Sequence, residues 1–145
     1  MKLKRLSKHF LESEFACPCC GKSDISIYLV QEILEPIREH FGPVFVSSGG
    51  GVRCRPYNER IRYCDDCGVN YHGWDCDGCG GPGKQRSARN SWHMKSTQAD
   101  ISVVAATPEE VQDFARNLHS VTRLGCYRTF THVGHGGTAF KEWEG

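Results

Sequence analysis

The chain lacks any long hydrophobic run, and with it the 18 or more apolar residues that a membrane-spanning helix needs. It also lacks an excess of either charge: 18 Lys and Arg face 17 Asp and Glu, a net charge of +1. A nucleic-acid binder ordinarily shows a broad basic footprint, so nucleic acid is not an expected partner. The opening MKLKRLSKHFLESEF is basic but has neither an apolar h-region nor a small-residue cleavage site, and does not read as a secretory signal. Synthesis in a cytoplasm is the expectation, with any target beyond the membrane reached by another route such as lysis. The stretch 62–90 is nearly free of aliphatic side chains, which excludes a hydrophobic core of its own. At 145 residues a single domain is expected, with a monomer as the working assumption.

What the chain has instead is cysteine. Nine occur, an odd count that fits a closed disulfide framework poorly, and without a secretory signal thiolate-bound metal is favoured over disulfides. Cys64-x-x-Cys67 and Cys76-x-x-Cys79 form two knuckles, each followed by glycine. Such turns aim backbone amides at thiolate sulfurs, and two of them complete a tetrahedral four-thiolate zinc site. The metal would stand in for the missing core of residues 62–90. Four sulfurs leave no open position, so the expected role is structural. Tyr71, His72 and Trp74 lie between the knuckles, where they cover the site or meet a ligand, and His72 reads as a bystander. A denser run, FACPCCG (15–21), holds Cys17, Cys19 and Cys20. Cys17 and Cys20 have the spacing for a second structural zinc, and a buried thiol cluster is the equal alternative.

Chemistry of another kind sits in SWHMKSTQADI (91–101), where His93 and Asp100 stand seven positions apart. Seven residues span about 23 Å as a strand and about 10 Å as a helix, whereas the ligands of one zinc lie within about 2 Å of it. A reversal at Lys95-Ser96-Thr97 would bring the two side chains together. Asp100 then falls in an alternating run, with Ala99, Ile101 and Val103 toward a core and Asp100 and Ser102 on the other face. A third ligand is at hand in THVGHGG (131–137).

Three blocks, taken in order, resemble a known family. SSGGGVRCRPYN (47–58) is similar to its S-G-Y-R-x-P-x-Y-N block, SWHMKSTQADI (91–101) to its S-x-H-x-x-G-x-A-x-D-I block, and FTHVGH (130–135) to its F-x-H-V block. The family is the zinc D-Ala-D-Ala carboxypeptidases with their phage endolysin relatives, which cleave peptidoglycan stem peptides. LSKHFLESEFACPCCG (6–21) also resembles the opening of phage and bacterial members, and the likeness runs from Leu6 to Trp143, interrupted by the cysteine-rich insert 62–90. The resemblance implies an α+β fold of the hedgehog/DD-peptidase kind, a small, mainly antiparallel sheet with helices packed on it. It implies a catalytic zinc held by His93, Asp100 and His132, with water in the fourth position. It also implies that Arg53 anchors the substrate, with Arg55 as a nearby competitor, and that Ser91 orients the substrate loop. A guanidinium offers a planar fork to a carboxylate, which suits Arg53 to that task. Tyr57 and Asn58 match the family's Y-N. The cut would fall on a terminal D-alanine or within the stem, on the cell wall, after phage-type lysis.

The chain departs from that pattern at the general base. The family places a carboxylate either a few residues before the last histidine or in an H-V-D directly after it. Thr129 and Gly134 occupy those places here, and neither takes a proton. His135 is the nearest titratable replacement, with Glu142 and Glu144 further along. On a regular strand His135 points away from His132, so Gly134 would have to break the strand. Ser96 stands where the family prefers glycine, and Gln98 where it has alanine. The missing base opens a second reading, a non-catalytic cell-wall or protein-binding module on the same fold. A third, a zinc-knuckle nucleic-acid binder using the basic run GKQRSARN (83–90), is opposed by the balanced charge.

The remaining pattern is structural. Residues 24–41 read as a helix capped by Asp24 or Ser23, with Ile27, Val30, Ile33, Leu34, Ile37 and Phe41 inward and a kink or break at Pro36. Its His40 reads as a partner of the helix dipole. Residues 43–48 read as a strand running into Gly49-Gly50-Gly51. Residues 107–121 read as a helix with Thr107 at the N-cap, Pro108 at N1 and Glu110 closing a capping box. Val111, Phe114, Ala115, Leu118 and Val121 face inward, and His119 lies off that stripe. Residues 125–133 read as one strand leading into the metal segment, and Trp143 falls where the family often has a terminal aromatic.

Overall fold

Apolar side chains on alternate positions of β5 (Gln98–Val103) build one face of the main sheet, and they set where everything else packs. Residues 3–145 are described by a computed structural model, and the arrangement is α+β. The sheet has the order β1-β5-β7-β6-β8, with β1 at Val44–Val46, β6 at Arg123–Cys126, β7 at Thr131–Gly134 and β8 at Lys141–Glu144. It is mixed: β1–β5, β5–β7 and β6–β7 run antiparallel, while β6 and β8 run parallel. Ala99, Ile101, Leu124 and Val133 leave it to meet Leu29, Val30, Ile33, Leu34 and Ile37 of a long helix and Val111 and Ala115 of a later one. Each such aliphatic side chain, fully buried, contributes about 1.5–3 kcal/mol.

The long helix spans 27–41 as an α-turn Ile27–Leu29, a π-helical stretch Val30–Leu34 and an α-helix Glu35–Phe41. Pro36 is the cause of the wide turn. It has no N–H to give the Glu32 carbonyl, the chain loops out one residue before it, and Glu35 N–H bonds to the Val30 carbonyl instead. The Glu32 carbonyl left over accepts the Ser120 hydroxyl at 2.8 Å. The cap is Ser26, whose Oγ accepts from Leu29 N, and not Asp24 or Ser23; those bond to Ser96 and Glu12. Val30, Ile33, Leu34 and Ile37 are buried as expected, but ahead of the wide turn Leu29 is buried and Ile27 is exposed, the opposite of the expected order at that end.

The second helix prediction holds at its start and not at its end. Thr107 and Glu110 form the capping box at Pro108–Arg116. The helix stops five residues before Val121, because the chain turns to deliver Ser120 to the Glu32 carbonyl. The single strand expected over 125–133 is a hairpin. Tyr127 N–H bonds to the Phe130 carbonyl at 3.0 Å and the two rings stack at 4.4 Å, so the polar pair Arg128-Thr129 forms the turn between β6 and β7.

The insert forms a small sheet of its own, β3-β2-β4, from Ile61–Cys64 (β2), Val69–His72 (β3) and Lys84–Gln85 (β4). A short helix, Arg55–Glu59, leads into it; its buried Asn58 donates to the Ala88 carbonyl, and Tyr57 stacks on His72 at 4.1 Å. Among the described residues no helix is long and apolar enough to cross a membrane.

Candidate metal centre

His93, Asp100 and His132 converge, and three separate pieces of chain geometry bring them together. Asp100 and His132 face each other directly across the β5–β7 ladder, on the sheet face opposite the core. His93 arrives from a 3-10 turn, Trp92–Lys95, capped by Ser91, whose Oγ accepts from His93 N at 3.3 Å. The turn ends at Ser96 with φ of 61°, the left-handed conformation that favours glycine, and the chain reverses there into β5. The reversal expected at 95–97 is therefore present, and Ser96 holds it by donating to Asp24 at 3.1 Å.

Each imidazole has its second nitrogen tied to a carbonyl oxygen. Nδ1 of His93 lies 3.1 Å from the Gly51 carbonyl, and Nε2 of His132 lies 2.7 Å from Gln98 Oε1. Carbonyls only accept, so those nitrogens donate, and in the neutral rings the opposite ones are left bare. The bare atoms, His93 Nε2 and His132 Nδ1, stand 3.2 Å apart, and Asp100 Oδ1 lies 3.3 Å and 2.9 Å from them. Three lone-pair donors thus face one point with no proton between them, which calls for a cation. A tetrahedral zinc with bonds of about 2.0–2.1 Å sets its ligand atoms about 3.3 Å apart, so the triangle fits such an ion. Burial lowers the His132 pKa, against the pull of Asp100, and so keeps that ring neutral and ready to bind metal.

Gln98 is the functional residue that sequence reasoning missed. Its amide nitrogen donates to the His135 carbonyl at 2.8 Å and to Thr97 Oγ1 at 3.0 Å, which fixes Oε1 toward His132. Its side chain fills the space beside Gly134: a Cβ there would sit 2.0 Å from Gln98 Oε1. Glutamine at 98 and glycine at 134 are therefore one packing unit. Only the β5–β7 register, which pairs Gln98 with Gly134, reveals it.

The triangle opens on a cleft of about 950 Å³ walled by the main sheet on one side and the insert on the other. Arg53 enters it with Nη2 3.2 Å from Asp100 Oδ2 and Nε 2.6 Å from the Gly49 carbonyl, so it steers Oδ1 toward the histidines. Arg62, Arg86, Arg123 and Arg128 also line the cleft, and among the described residues none has a carboxylate partner. The Nε atoms of Arg62 and Arg123 are buried without any hydrogen-bond acceptor. Trp92 lies under Arg123 at 3.8 Å, and Trp143 packs 5.0 Å from His132. Guanidinium groups without carboxylate partners beside aromatic faces can pair with an anionic ligand that has a flat or apolar part. The basic run 83–90 thus contributes Arg86 to a cleft wall.

His135 is not part of this group. Gly134 keeps its place in the ladder, so His135 falls on the other face, bonded through Nε2 to Ser26 Oγ at 2.7 Å and edge-on to Tyr28. The expected catalytic role fails because the strand does not break. Glu142 is paired with Arg116, and Glu144, two residues on, shares its side of β8, away from Trp143. Arg55 and His119 are exposed outside the cleft.

The four insert cysteines converge as well. Cys64 and Cys79 sulfurs are 3.6 Å apart, and all four sulfurs lie within 4.8 Å of one another. Gly68 and Gly80, at φ of 67° and 72°, close the knuckles by bonding back to the Cys64 and Cys76 carbonyls. The Cys79 and Gly78 amides pull the Cys76 thiol down to about 7, while the crowding sulfurs of Cys76, Cys79 and Cys64 push Cys67 up to about 12. Four thiols so placed would repel as thiolates, and a metal ion held among them would offset that repulsion. No protein-family model, curated protein or solved structure matches this chain, so the reading of both clusters rests on their own geometry.

Proposed function

We propose that the chain is a zinc peptidase acting on peptidoglycan stem peptides, as a D-Ala-D-Ala carboxypeptidase or an endolysin-type endopeptidase. The observation that supports it most is the triangle of three bare donor atoms from His93, Asp100 and His132, set at the floor of an arginine-lined cleft. Zinc bound there would polarise the scissile carbonyl and lower the pKa of the attacking water. Gln98 and the Gly51 carbonyl keep the two imidazoles in the tautomers that present a lone pair. Arg53 holds Asp100 Oδ2 and reaches the cleft, where it meets a substrate carboxylate. Arg123 and Arg128 extend that positive wall for a peptide that carries more than one carboxylate. Trp92, Phe130 and Trp143 shield the reacting bond from bulk water. The four insert thiolates hold a second, structural zinc that keeps the opposite wall in place.

A second reading, a binding module without catalysis, is favoured by one observation. Asp100 is the only side-chain carboxylate lining the cleft among the described residues, and Arg53 and both histidines already engage it. The two readings separate on mass spectrometry of purified stem peptides incubated with the zinc-loaded protein and with His93→Ala. Loss of one terminal alanine, or a cut inside the stem, present only with the unaltered protein, is the outcome expected of the peptidase. Retention of cell-wall material with no product from any stem, zinc still bound, would transfer the function to the binding module.

A further inference from the structure

We infer that Cys17, Cys20 and Cys54 form a further thiolate metal site, which clamps the N-terminal segment to the loop carrying Arg53. The sulfurs of all three lie within 4.8 Å of one another, and Cys17 and Cys54 are 3.7 Å apart. Two thiolates on one tetrahedral zinc, at about 2.3 Å each, are about 3.8 Å apart, whereas a disulfide requires about 2.05 Å. The local backbone is that of the insert knuckles. Gly21, at φ of 75°, bonds back to the Cys17 carbonyl at 2.8 Å, as Gly68 does to Cys64 and Gly80 to Cys76. Cys17 N–H closes the turn on the Lys22 carbonyl, as Cys76 N–H does on Gly81. The same loop that supplies each half of the four-cysteine cluster therefore supplies Cys17 and Cys20.

Cys54 enters from 37 residues away in sequence, just ahead of the Arg55–Glu59 helix, and its N–H points at Cys17 Sγ at 3.4 Å. The exposed Cys19 stands beside Cys54. The placement gives the site its consequence. Cys54 follows Arg53 directly, Val52 N–H bonds to the Phe15 carbonyl at 2.8 Å, and a Cβ on Gly51 would lie 2.6 Å from that same carbonyl oxygen. Gly51 is the residue whose carbonyl orients His93. A metal joining Cys17 and Cys20 to Cys54 would fix, through one short loop, both Arg53 and the acceptor for His93 Nδ1.

Cys20 supplies the test, because it is exposed and its sulfur has no packing role. In zinc-replete, reduced protein, iodoacetamide labelling read by peptide mass spectrometry should spare Cys20 and Cys54 until the zinc is stripped, then label both together. Native mass spectrometry of Cys20→Ser should show one zinc fewer per chain than the unaltered protein, with the four-cysteine zinc retained. Prompt labelling of exposed Cys20 in the zinc-loaded protein would overturn the site. So would an unchanged zinc count in Cys20→Ser, or a mass 2 Da low with Cys17 and Cys54 recovered as a disulfide. None of these readouts depends on hydrolysis, so the site stands or falls apart from the peptidase reading.

Discussion

The His93–Asp100–His132 cluster and the Cys64–Cys67–Cys76–Cys79 cluster both present ligands to one point, yet they are built in opposite ways. The first draws on a 3-10 turn and two neighbouring strands, with residues up to 39 positions apart, and its ligands are buried on a sheet with an apolar core beneath. The second draws on two local knuckles in a segment whose only buried apolar side chains are two of the cysteines themselves. In the first an apolar core holds the ligands in place; the second has no such core, and a bound metal would supply what burial does not. The first leaves one side facing a cleft, whereas the second surrounds its centre with sulfur.

The comparison breaks most visibly under ligand replacement. Asp100→Ala should reduce stem-peptide hydrolysis to background while the thiolate-bound zinc stays in place, as metal analysis alongside the activity assay would show. Full activity in that variant would contradict the catalytic assignment. Cys67→Ser should do the reverse to structure: hydrogen exchange across 61–85 should rise toward that of an unfolded chain, with β5, β6 and β7 still protected. An insert that stays protected without its metal would mean that residues 62–90 hold together by some other means.

Smaller effects sharpen the contrast. Gln98→Ala frees the His132 ring to rotate and change tautomer, and should weaken metal binding at that site by about 10–100-fold. The thiolate site should be unaffected, and competitive chelation distinguishes the two. The pH response follows from burial of His132, which lowers its pKa, so the neutral ring survives below the ordinary histidine value of about 6.5. Metal at the histidine site should therefore persist as the pH falls through 6.5 and be released only below it. Half-release at or above pH 7 would contradict that sign. At the small end, Thr107→Ala removes one side-chain cap and should cost about 1 kcal/mol in a denaturant titration without moving either metal.

What was legible in the sequence was local. The Thr107-x-x-Glu110 box, the two C-x-x-C-G knuckles and the alternation around Asp100 each depend on neighbours within a few residues, and each is present. The reversal between His93 and Asp100 was legible too, while the positive φ that Ser96 takes in it was not. What was not legible depends on pairings across the fold. Gln98 gains its role only when β5–β7 register sets it against Gly134 and His132. Cys54 joins Cys17 only when the arginine loop packs on the N-terminal segment. Ser120 reaches the Glu32 carbonyl only because Pro36, 84 positions earlier, left that carbonyl unpaired. His135 illustrates the converse, a residue three positions from the ligand His132 that the pleat sends to the other face.

The most direct measurement is diffraction from zinc-loaded crystals above and below the zinc absorption edge. The account predicts an anomalous peak about 2 Å from His93 Nε2, His132 Nδ1 and Asp100 Oδ1, with a second among the four insert sulfurs. A peak among the sulfurs with none between the two histidines and Asp100 would contradict it.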